Sequence, residues 1–293
     1  HQEKMGDFKE AYFNYRKLHI QHPNHERTPE AEAAIKKILM SQGLLDTPLN
    51  LREHTERIEK LFKAVRYKEI IAEVESIKKS NNPMPGKFYI FLSNAHRGLR
   101  DRKTANIALK KFAKLYPHHS QIQKVKFNIG RNLWNLGKPI AGTKYFKEVA
   151  NEKSSSERAV KALFFLGKIY EERKEFSEAL KTYQATLKKY SVDFYGQWAG
   201  WRLGWVNYIN GNFEKAFERF QDVAQRFPKG PFIEYNLYWS AKSAEKLGDK
   251  EKAQKIFMLV ANLYPYTFHG IRAREKMIEV GVSFPEKNVE APT

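Results

Sequence analysis

The amino-acid sequence predicts an all-α protein made of repeated helical hairpins, because three features recur with one period. Small residues return every 37 positions from residue 105 onward. They are Ala105, Gly142, Ala179, Ala216 and Ala253. A large apolar residue follows each of them four positions later, one helical turn along the same face. Those residues are Leu109, Phe146, Tyr183, Phe220 and Phe257.

The third feature is a turn residue five positions before each small one. The series is Arg100, Gly137, Lys174, Gly211 and Gly248. Glycine adopts a positive φ without steric cost, so it can end the preceding helix. We therefore predict a tight turn between two helices at each of these positions.

The helix before each turn carries its own small residues, at Ser93, Gly130, Gly167, Gly204 and Ala241. Such residues let two helices approach closely. Each second helix is followed by a residue that ends or caps a helix, at Pro117, Ser154, Ser191, Pro228 and Pro265. The unit resembles a tetratricopeptide repeat. Because every hairpin must bury its apolar face on its neighbours, we expect a right-handed α-superhelix, or solenoid.

We expect about fifteen helices in this superhelix. The predicted limits are 5–21, 28–42, 49–65, 67–79, 86–99, 102–116, 119–136, 139–150, 155–173, 176–190, 193–210, 213–226, 231–247, 250–263 and 266–280. One tetratricopeptide-like domain should cover residues 1–281, with looser repeats over 1–85 and regular repeats over 86–281. Residues 282–293 are predicted to be a linker or tail.

Charge is the strongest compositional signal. The 293 residues carry a formal net charge of +19. From Arg102 to Lys147 there is no Asp or Glu, whereas eleven residues are Lys or Arg. A basic sector near the middle of the chain is therefore expected. It would either attract a polyanion or simply keep the surface solvated.

The sequence excludes several kinds of site. It has no Cys, which rules out disulfides and thiolate chemistry. No apolar run approaches the roughly 18 residues that a membrane span requires, and no apolar leader opens the chain. The chain begins at His1 rather than Met, so a removed export signal stays possible. Catalytic, phosphate-binding and dinucleotide-binding motifs are missing. His22 and His25 flank Pro23 in a turn, whereas a metal site would need His residues one helical turn apart. We predict no catalytic residue, metal or cofactor.

Four segments of the later repeats have a distinctive sequence: 199–205, 211–216, 238–244 and 263–270. Through these segments, residues 158–274 resemble the superhelical domain of the soluble lytic transglycosylases, which cleave peptidoglycan. The resemblance implies a periplasmic scaffold ahead of a catalytic domain. Glu75-Ser76 lacks the stretch that follows the family's catalytic Glu-Ser pair, so no catalytic residue carries over. The catalytic domain would follow Thr293 in the parent protein, or the chain is a non-catalytic relative.

Tetratricopeptide geometry predicts which side chains of the first helices face the concave groove. The candidate ligand-binding residues are Lys124, Arg131, Trp134, Lys161, Lys168, Trp198, Trp205, Tyr208, Tyr235 and Lys242. Aromatic faces stack on sugars, and Lys and Arg pair with the carboxylates of a cell-wall polymer. Phe127, Phe164, Trp201 and Tyr238 recur in every unit, which favours packing between repeats, so Trp198 and Trp205 are the better candidates.

Three functions are consistent with these observations. The first is the scaffold of a peptidoglycan lytic transglycosylase, which shapes or binds glycan strands or positions a catalytic domain in cis. The second is a tetratricopeptide adaptor of the cell envelope that holds a protein or peptide partner. The third is a nucleic-acid-binding repeat protein, which only the charge supports, so nucleic acid is the least favoured partner.

Overall fold

A computed structural model describes residues 7–43, 48–80, 84–151 and 156–284. Its described residues form fifteen α-helices. They are α1 (Phe8–Gln21), α2 (Thr28–Ser41), α3 (Leu51–Lys63), α4 (Tyr67–Ser80), α5 (Gly86–Gly98), α6 (Arg102–Leu115), α7 (Ile122–Asn135), α8 (Pro139–Ala150), α9 (Glu157–Glu172), α10 (Phe176–Lys189), α11 (Phe194–Ile209), α12 (Phe213–Arg226), α13 (Ile233–Lys246), α14 (Lys250–Leu263) and α15 (Phe268–Glu279).

The predicted fold class is confirmed, since the helices pack as hairpins in chain order. Each predicted helix is present, and its limits agree to within three residues at the described ends. The predicted start of the first helix, Ser154 and residues 285–293 of the predicted tail lie outside the described residues. None of the described helices combines the length and apolar character needed to cross a membrane.

The chain divides into two compact units. Unit 1 is His1–Gly142 and unit 2 is Thr143–Thr293, so the boundary falls within α8. In unit 1 each helix from α3 to α6 packs on the helix that follows it, and α1 contacts both α2 and α3. The prediction of one repeat domain over residues 1–281 stays a prediction.

In unit 2 two kinds of contact order the helices. Consecutive helices from α9 to α15 pack on each other, and the first helices of successive hairpins also touch. The second kind of contact joins α9 to α11, α11 to α13 and α13 to α15. One core cluster of buried residues, which includes Tyr183, Leu203 and Val223, lies where α9 to α12 meet.

The predicted turns lie where the periodicity placed them. Gly137, Gly211 and Gly248 have φ of 70°, 79° and 83°, and the non-glycine residues Arg100 and Lys174 also adopt positive φ. Beyond each turn an amide reaches back to the last turn of the helix, as Asn212 N does to the Asn207 carbonyl at 2.9 Å. This bond satisfies a carbonyl that the helix end would leave unpaired.

Close helix approach inside the hairpins explains the small residues of the first helices. A Cβ atom added to Gly204 would lie 2.4 Å from the Phe220 ring, and one added to Gly167 would lie 2.4 Å from the Tyr183 ring. Both rings are fully buried. In these two hairpins the helices can therefore meet only where the first helix lacks a side chain.

The substitution Gly204→Ala tests this contact. Alanine favours a helix by about 1 kcal/mol over glycine, but overpacking a filled core costs about 1–3 kcal/mol. We expect a net loss of about 1 kcal/mol in the free energy of unfolding, measured by urea denaturation. Gly200→Ala in the same helix is the matched control. Its Cβ would meet the Val223 side chain at 3.1 Å rather than a ring at 2.4 Å, so this variant should lose less stability than Gly204→Ala. Equal stability of the two variants would contradict the proposed contact.

Candidate functional site

Helix α11 presents a continuous aromatic stripe on the side opposite its buried core residues. The buried side holds Ala199, Leu203 and Val206. The stripe follows the spacing i, i+4, i+7, i+11 and i+14, which keeps side chains on one face of a helix. Its members are Phe194, Trp198, Trp201, Trp205 and Tyr208. Aromatic residues on a face turned away from the core call for a partner surface, either another helix or a ligand.

Three of these residues form what we call the aromatic ladder: Trp201, Trp205 and Tyr208. The Trp201 and Trp205 rings stack with centroids 5.9 Å apart and planes 16° apart. The Trp205 and Tyr208 rings stack at 6.1 Å and 13°. All three side chains are partly exposed. The ladder is thus a run of nearly parallel rings along one helix.

Helix α13 contributes two rings that meet the ladder edge-on. Trp239 lies 4.7 Å from the Trp205 centroid and 5.0 Å from that of Tyr208. Tyr235 meets the Trp201 ring at 5.8 Å. Edge-to-face contacts between aromatic rings are favourable, so α13 holds the ladder in place. Partial burial raises the pKa of the Tyr208 hydroxyl, and the nearby Glu245 charge adds to this, so Tyr208 is neutral at physiological pH.

Trp198 belongs to the same stripe but to different contacts. Its ring lies 4.4 Å from that of the buried Phe164 and stacks on Phe232 at 5.9 Å. Trp198 therefore joins α9, α11 and the start of α13, whereas Trp205 belongs to the aromatic ladder. The structure brings Trp205, Tyr208 and Tyr235 together and places Trp198 among packing residues.

A buried ion pair lies beside the ladder. The Glu171 carboxylate of α9 accepts hydrogen bonds from the Arg202 guanidinium and, at 2.9 Å, from the Tyr183 hydroxyl. The Glu171 and Arg202 side chains are only 8% and 11% exposed. Burial lowers the pKa of Arg202 to about 10, which still leaves the guanidinium charged at neutral pH. The guanidinium also lies 5.0 Å from the Trp201 ring centroid and so packs against one end of the ladder.

The predicted cations of unit 2 are largely engaged by neighbouring acids. Lys161 pairs with Glu157 at 2.5 Å, and Lys242 pairs with Glu245. The Lys168 ammonium lies 3.9 Å from Glu171. Burial lowers the pKa of Lys168, and the Arg202 charge adds to this effect. These side chains offer less free charge to a ligand than the sequence suggested.

The predicted residues of unit 1 lie on α7. Lys124 and Arg131 are exposed and are seven residues apart, so they share one face. Neither forms an ion pair with a residue that the structure describes. Trp134 is partly exposed near the end of the same helix.

Sequence reasoning missed Trp239 and Arg202 and assigned Trp201 to packing. The signal was present, because Arg202, Trp239 and Lys276 are 37 residues apart. Each contacts a residue of the preceding first helix that lies 31 positions earlier: Glu171, Tyr208 and Glu245. This series could have been read from the repeat alone.

Nothing in the described ranges adds a metal site. They contain no group of three or more His, Asp or Glu side chains that could hold a metal ion. His269 lies in the core of unit 2, where its ring packs 4.4 Å from Tyr235 and 4.9 Å from Tyr238, and where Nδ1 is 3.4 Å from the Glu234 carboxylate. Burial lowers the pKa of His269 even though Glu234 acts in the opposite direction.

Comparison with known proteins identifies the repeat. A tetratricopeptide-repeat family model matches residues 161–191, 198–230 and 235–265. These segments cover most of the hairpins α9–α10, α11–α12 and α13–α14. This chain is an all-α protein that contains tetratricopeptide repeats. In sequence it matches no curated protein.

Solved structures of tetratricopeptide proteins share its fold. PilW, a widely conserved type IV pilus biogenesis factor, is 16% identical with a TM-score of 0.52 and covers 77% of this chain and 100% of its own. MamA is 18% identical with a TM-score of 0.51, covering 68% of this chain and 97% of its own. YrrB, a tetratricopeptide protein with an unusual peptide-binding site, is 15% identical with a TM-score of 0.50 and covers 69% of this chain and 96% of its own. None of the three is a lytic transglycosylase, so the family suggested by the motifs gains no support from them.

The Glu171–Arg202 pair gives a first prediction from this site. Removing one partner of a buried ion pair leaves an uncompensated charge, so Glu171→Leu should lower the free energy of unfolding by about 3 kcal/mol. The double variant Glu171→Leu/Arg202→Met should recover most of that loss, because well-packed apolar residues can replace a buried pair. Urea denaturation of the three proteins measures both effects. A double variant less stable than Glu171→Leu would contradict this account.

His269 gives a prediction of pH dependence. Because its pKa in the folded protein is lowered from 6.5, the unfolded chain binds the proton more tightly. Stability should therefore fall as the pH drops below about 6.5. In the His269→Gln variant, the part of this fall in stability that comes from His269 should be absent. The measurement is the difference between the unfolding midpoints of the two proteins from pH 8 to pH 5. A constant difference across that range would show that His269 does not titrate abnormally.

Proposed function

We propose that this chain is a non-catalytic binding module that holds an extended segment of a partner protein on the aromatic ladder of unit 2. The observation that carries the proposal is the placement of Trp205 and Tyr208. They are partly exposed, they lie on the face of α11 opposite its core residues, and the Trp239 ring meets both of them edge-on.

The chemistry of the ladder suits a peptide. Trp and Tyr dominate the energetics of protein interfaces because they bury much apolar area with little loss of side-chain entropy. The neighbouring cations Lys161, Lys168 and Lys242 are paired with acids. Apolar and aromatic side chains of the partner should therefore carry more of the affinity than its charges do.

The comparisons support the same class of function. Tetratricopeptide repeats cover the hairpins that form the ladder. Of the proteins that share the fold, YrrB is described by its peptide-binding site and PilW by its role in pilus biogenesis. The resemblance in the motifs supports a cell-envelope location, in the periplasm, for this chain. That location is part of the proposal.

The second candidate is the scaffold of a peptidoglycan lytic transglycosylase. It is favoured by the motifs in residues 199–205 and 238–244 and by the nearly parallel rings of the ladder. Flat aromatic faces also suit sugar rings. The ligand would then be a glycan strand or another anionic cell-wall polymer. A catalytic domain in cis would supply the cleavage.

One experiment separates the two candidates. Peptides selected from a random library on the wild-type protein are titrated against Trp205→Ala/Tyr208→Ala, and pelleting with purified sacculi is measured in parallel. Loss of the two rings should weaken peptide binding by at least about tenfold, as expected for interface anchors. Tyr266→Ala is the matched control, since this aromatic residue of unit 2 is 76% exposed and lies outside the ladder.

The controls keep the result interpretable. Trp205→Leu keeps an apolar side chain while losing the flat ring, and it is a smaller change than the double variant, so it should fold even where the double variant is unstable. Circular dichroism verifies the fold of each variant. Selected peptides that bind wild type and the Trp205 variants equally would refute the ladder as the binding surface. Sacculus pelleting that depends on Trp205, without any peptide binding, would establish the glycan scaffold instead.

A further inference from the structure

Unit 1 contains a stretch of chain that is almost without acids. Between Glu75 and Glu148 the only acidic residue is Asp101. That residue is used at the start of α6, where its carboxylate accepts a hydrogen bond from the Thr104 amide at 2.9 Å. The basic side chains of α6 and α7 thus have very few acids nearby in sequence.

On α6 these charges form an ordered surface, which we call the α6 stripe: Lys103, Ile107, Lys110 and Lys114. The spacing i, i+4, i+7 and i+11 places the four side chains on one helical face. The opposite face packs into the core through residues such as Leu109 and Phe112. The three lysines are exposed, and Ile107 is 59% exposed. The stripe extends about 16 Å along the helix axis.

The α6 stripe differs from the helical faces that carry Lys181 and Lys255. Those exposed lysines pair with acids one turn away, Lys181 with Glu178 at 3.0 Å and Lys255 with Glu251 at 2.5 Å. No lysine of the stripe pairs with an acid among the residues that the structure describes. Lys110 and Lys114 instead face each other at i, i+4, which is mildly destabilising for like charges. An anionic partner would relieve this repulsion.

We propose that the α6 stripe docks on an anionic lipid surface, so that unit 1 is a peripheral membrane-binding element. Lysines attract the negative surface of a bilayer, and an exposed aliphatic side chain can enter the boundary between headgroups and acyl chains. Ile107 lies between Lys103 and Lys110 on the stripe and is placed to do this.

The composition of the stripe favours lipid over nucleic acid. Nucleic-acid surfaces that bind single strands combine cations with aromatic rings on which bases stack. The apolar member of the α6 stripe is aliphatic, and its cations are lysines rather than the forked guanidinium groups that read base edges. The alternative without a ligand is a basic surface that only keeps the protein soluble.

Vesicle co-sedimentation tests the proposal with the whole chain. Wild type should pellet with vesicles of equimolar phosphatidylcholine and phosphatidylglycerol, should not pellet with phosphatidylcholine alone, and should be released by high salt. Each lysine near an anionic surface strengthens binding by about fivefold, so Lys103→Gln/Lys110→Gln/Lys114→Gln should weaken binding by up to about a hundredfold. Ile107→Gln should weaken it without changing the net charge.

A matched control removes the same charge elsewhere. Lys181, Lys188 and Lys215 are exposed lysines of unit 2, and their replacement by Gln should leave pelleting close to that of wild type. Equal losses in the two triple variants would overturn the proposal in favour of a general charge effect. Absence of pelleting by wild type would also overturn it. The proposal would also be overturned if wild type bound a DNA or RNA duplex more tightly than the vesicles at the same ionic strength, and if the α6 variant lost that binding.

This inference is independent of the proposed function. The α6 variant leaves the aromatic ladder intact, so it should bind selected peptides as wild type does. Likewise, the Trp205 variants should still pellet with anionic vesicles. Either proposal can therefore fail while the other stands.

Discussion

The contact between a glycine on one helix and a large ring on the next is the constraint on which the hairpins α9–α10 and α11–α12 depend. At Gly204 and Gly167 the first helix lies directly against the rings of Phe220 and Tyr183, with no room for even a methyl group. Such a contact fixes how far the two helices can slide or rotate relative to each other, because overpacking a filled core is costly. Once that register is set, one side of the first helix must face its hairpin partner. The opposite side of the same helix then faces outward.

The outward side is where the sequence is free to vary, and it varies strongly. On α11 it carries Trp205 and Tyr208, whereas on α6, a second helix in unit 1, it carries lysines and the exposed Ile107. The core requirements of these helices are alike, with Ala105 and Ala199 both fully buried. The residues that fill the core and the proposed binding residues therefore occupy different faces of the same helices. A repeat protein can thus change its partners without changing its core, and residue type on the outward face is a better guide to function than the repeat signature is.

Most of the fold was predictable because it depends on local rules. Helix limits follow from periodic apolar positions, and turns follow from a fixed step, so even Lys174, which is not glycine, adopts the positive φ that its position requires. The site was predictable only in part. Spacing placed Trp198, Trp205 and Tyr208 on one face, but it could not show that Trp198 packs between Phe164 and Phe232. Which rings are covered depends on the distances and angles between neighbouring hairpins, and no single helix encodes these.

One rule connecting neighbouring hairpins nevertheless recurs in unit 2. A residue near the end of each first helix contacts a residue 31 positions later, on the next first helix. Between α9 and α11 the pair is Glu171 with Arg202, and between α13 and α15 it is Glu245 with Lys276, 3.8 Å apart. Between α11 and α13 the same place is taken by Tyr208 with Trp239. An ion pair, two aromatic rings and a second ion pair thus make the same contact between hairpins. Because the middle pair is aromatic, the contact that joins α11 to α13 also forms the edge of the ladder. The candidate binding surface is therefore a modified joint between repeats rather than an addition to the fold, so its shape depends on the same register that stacks the hairpins.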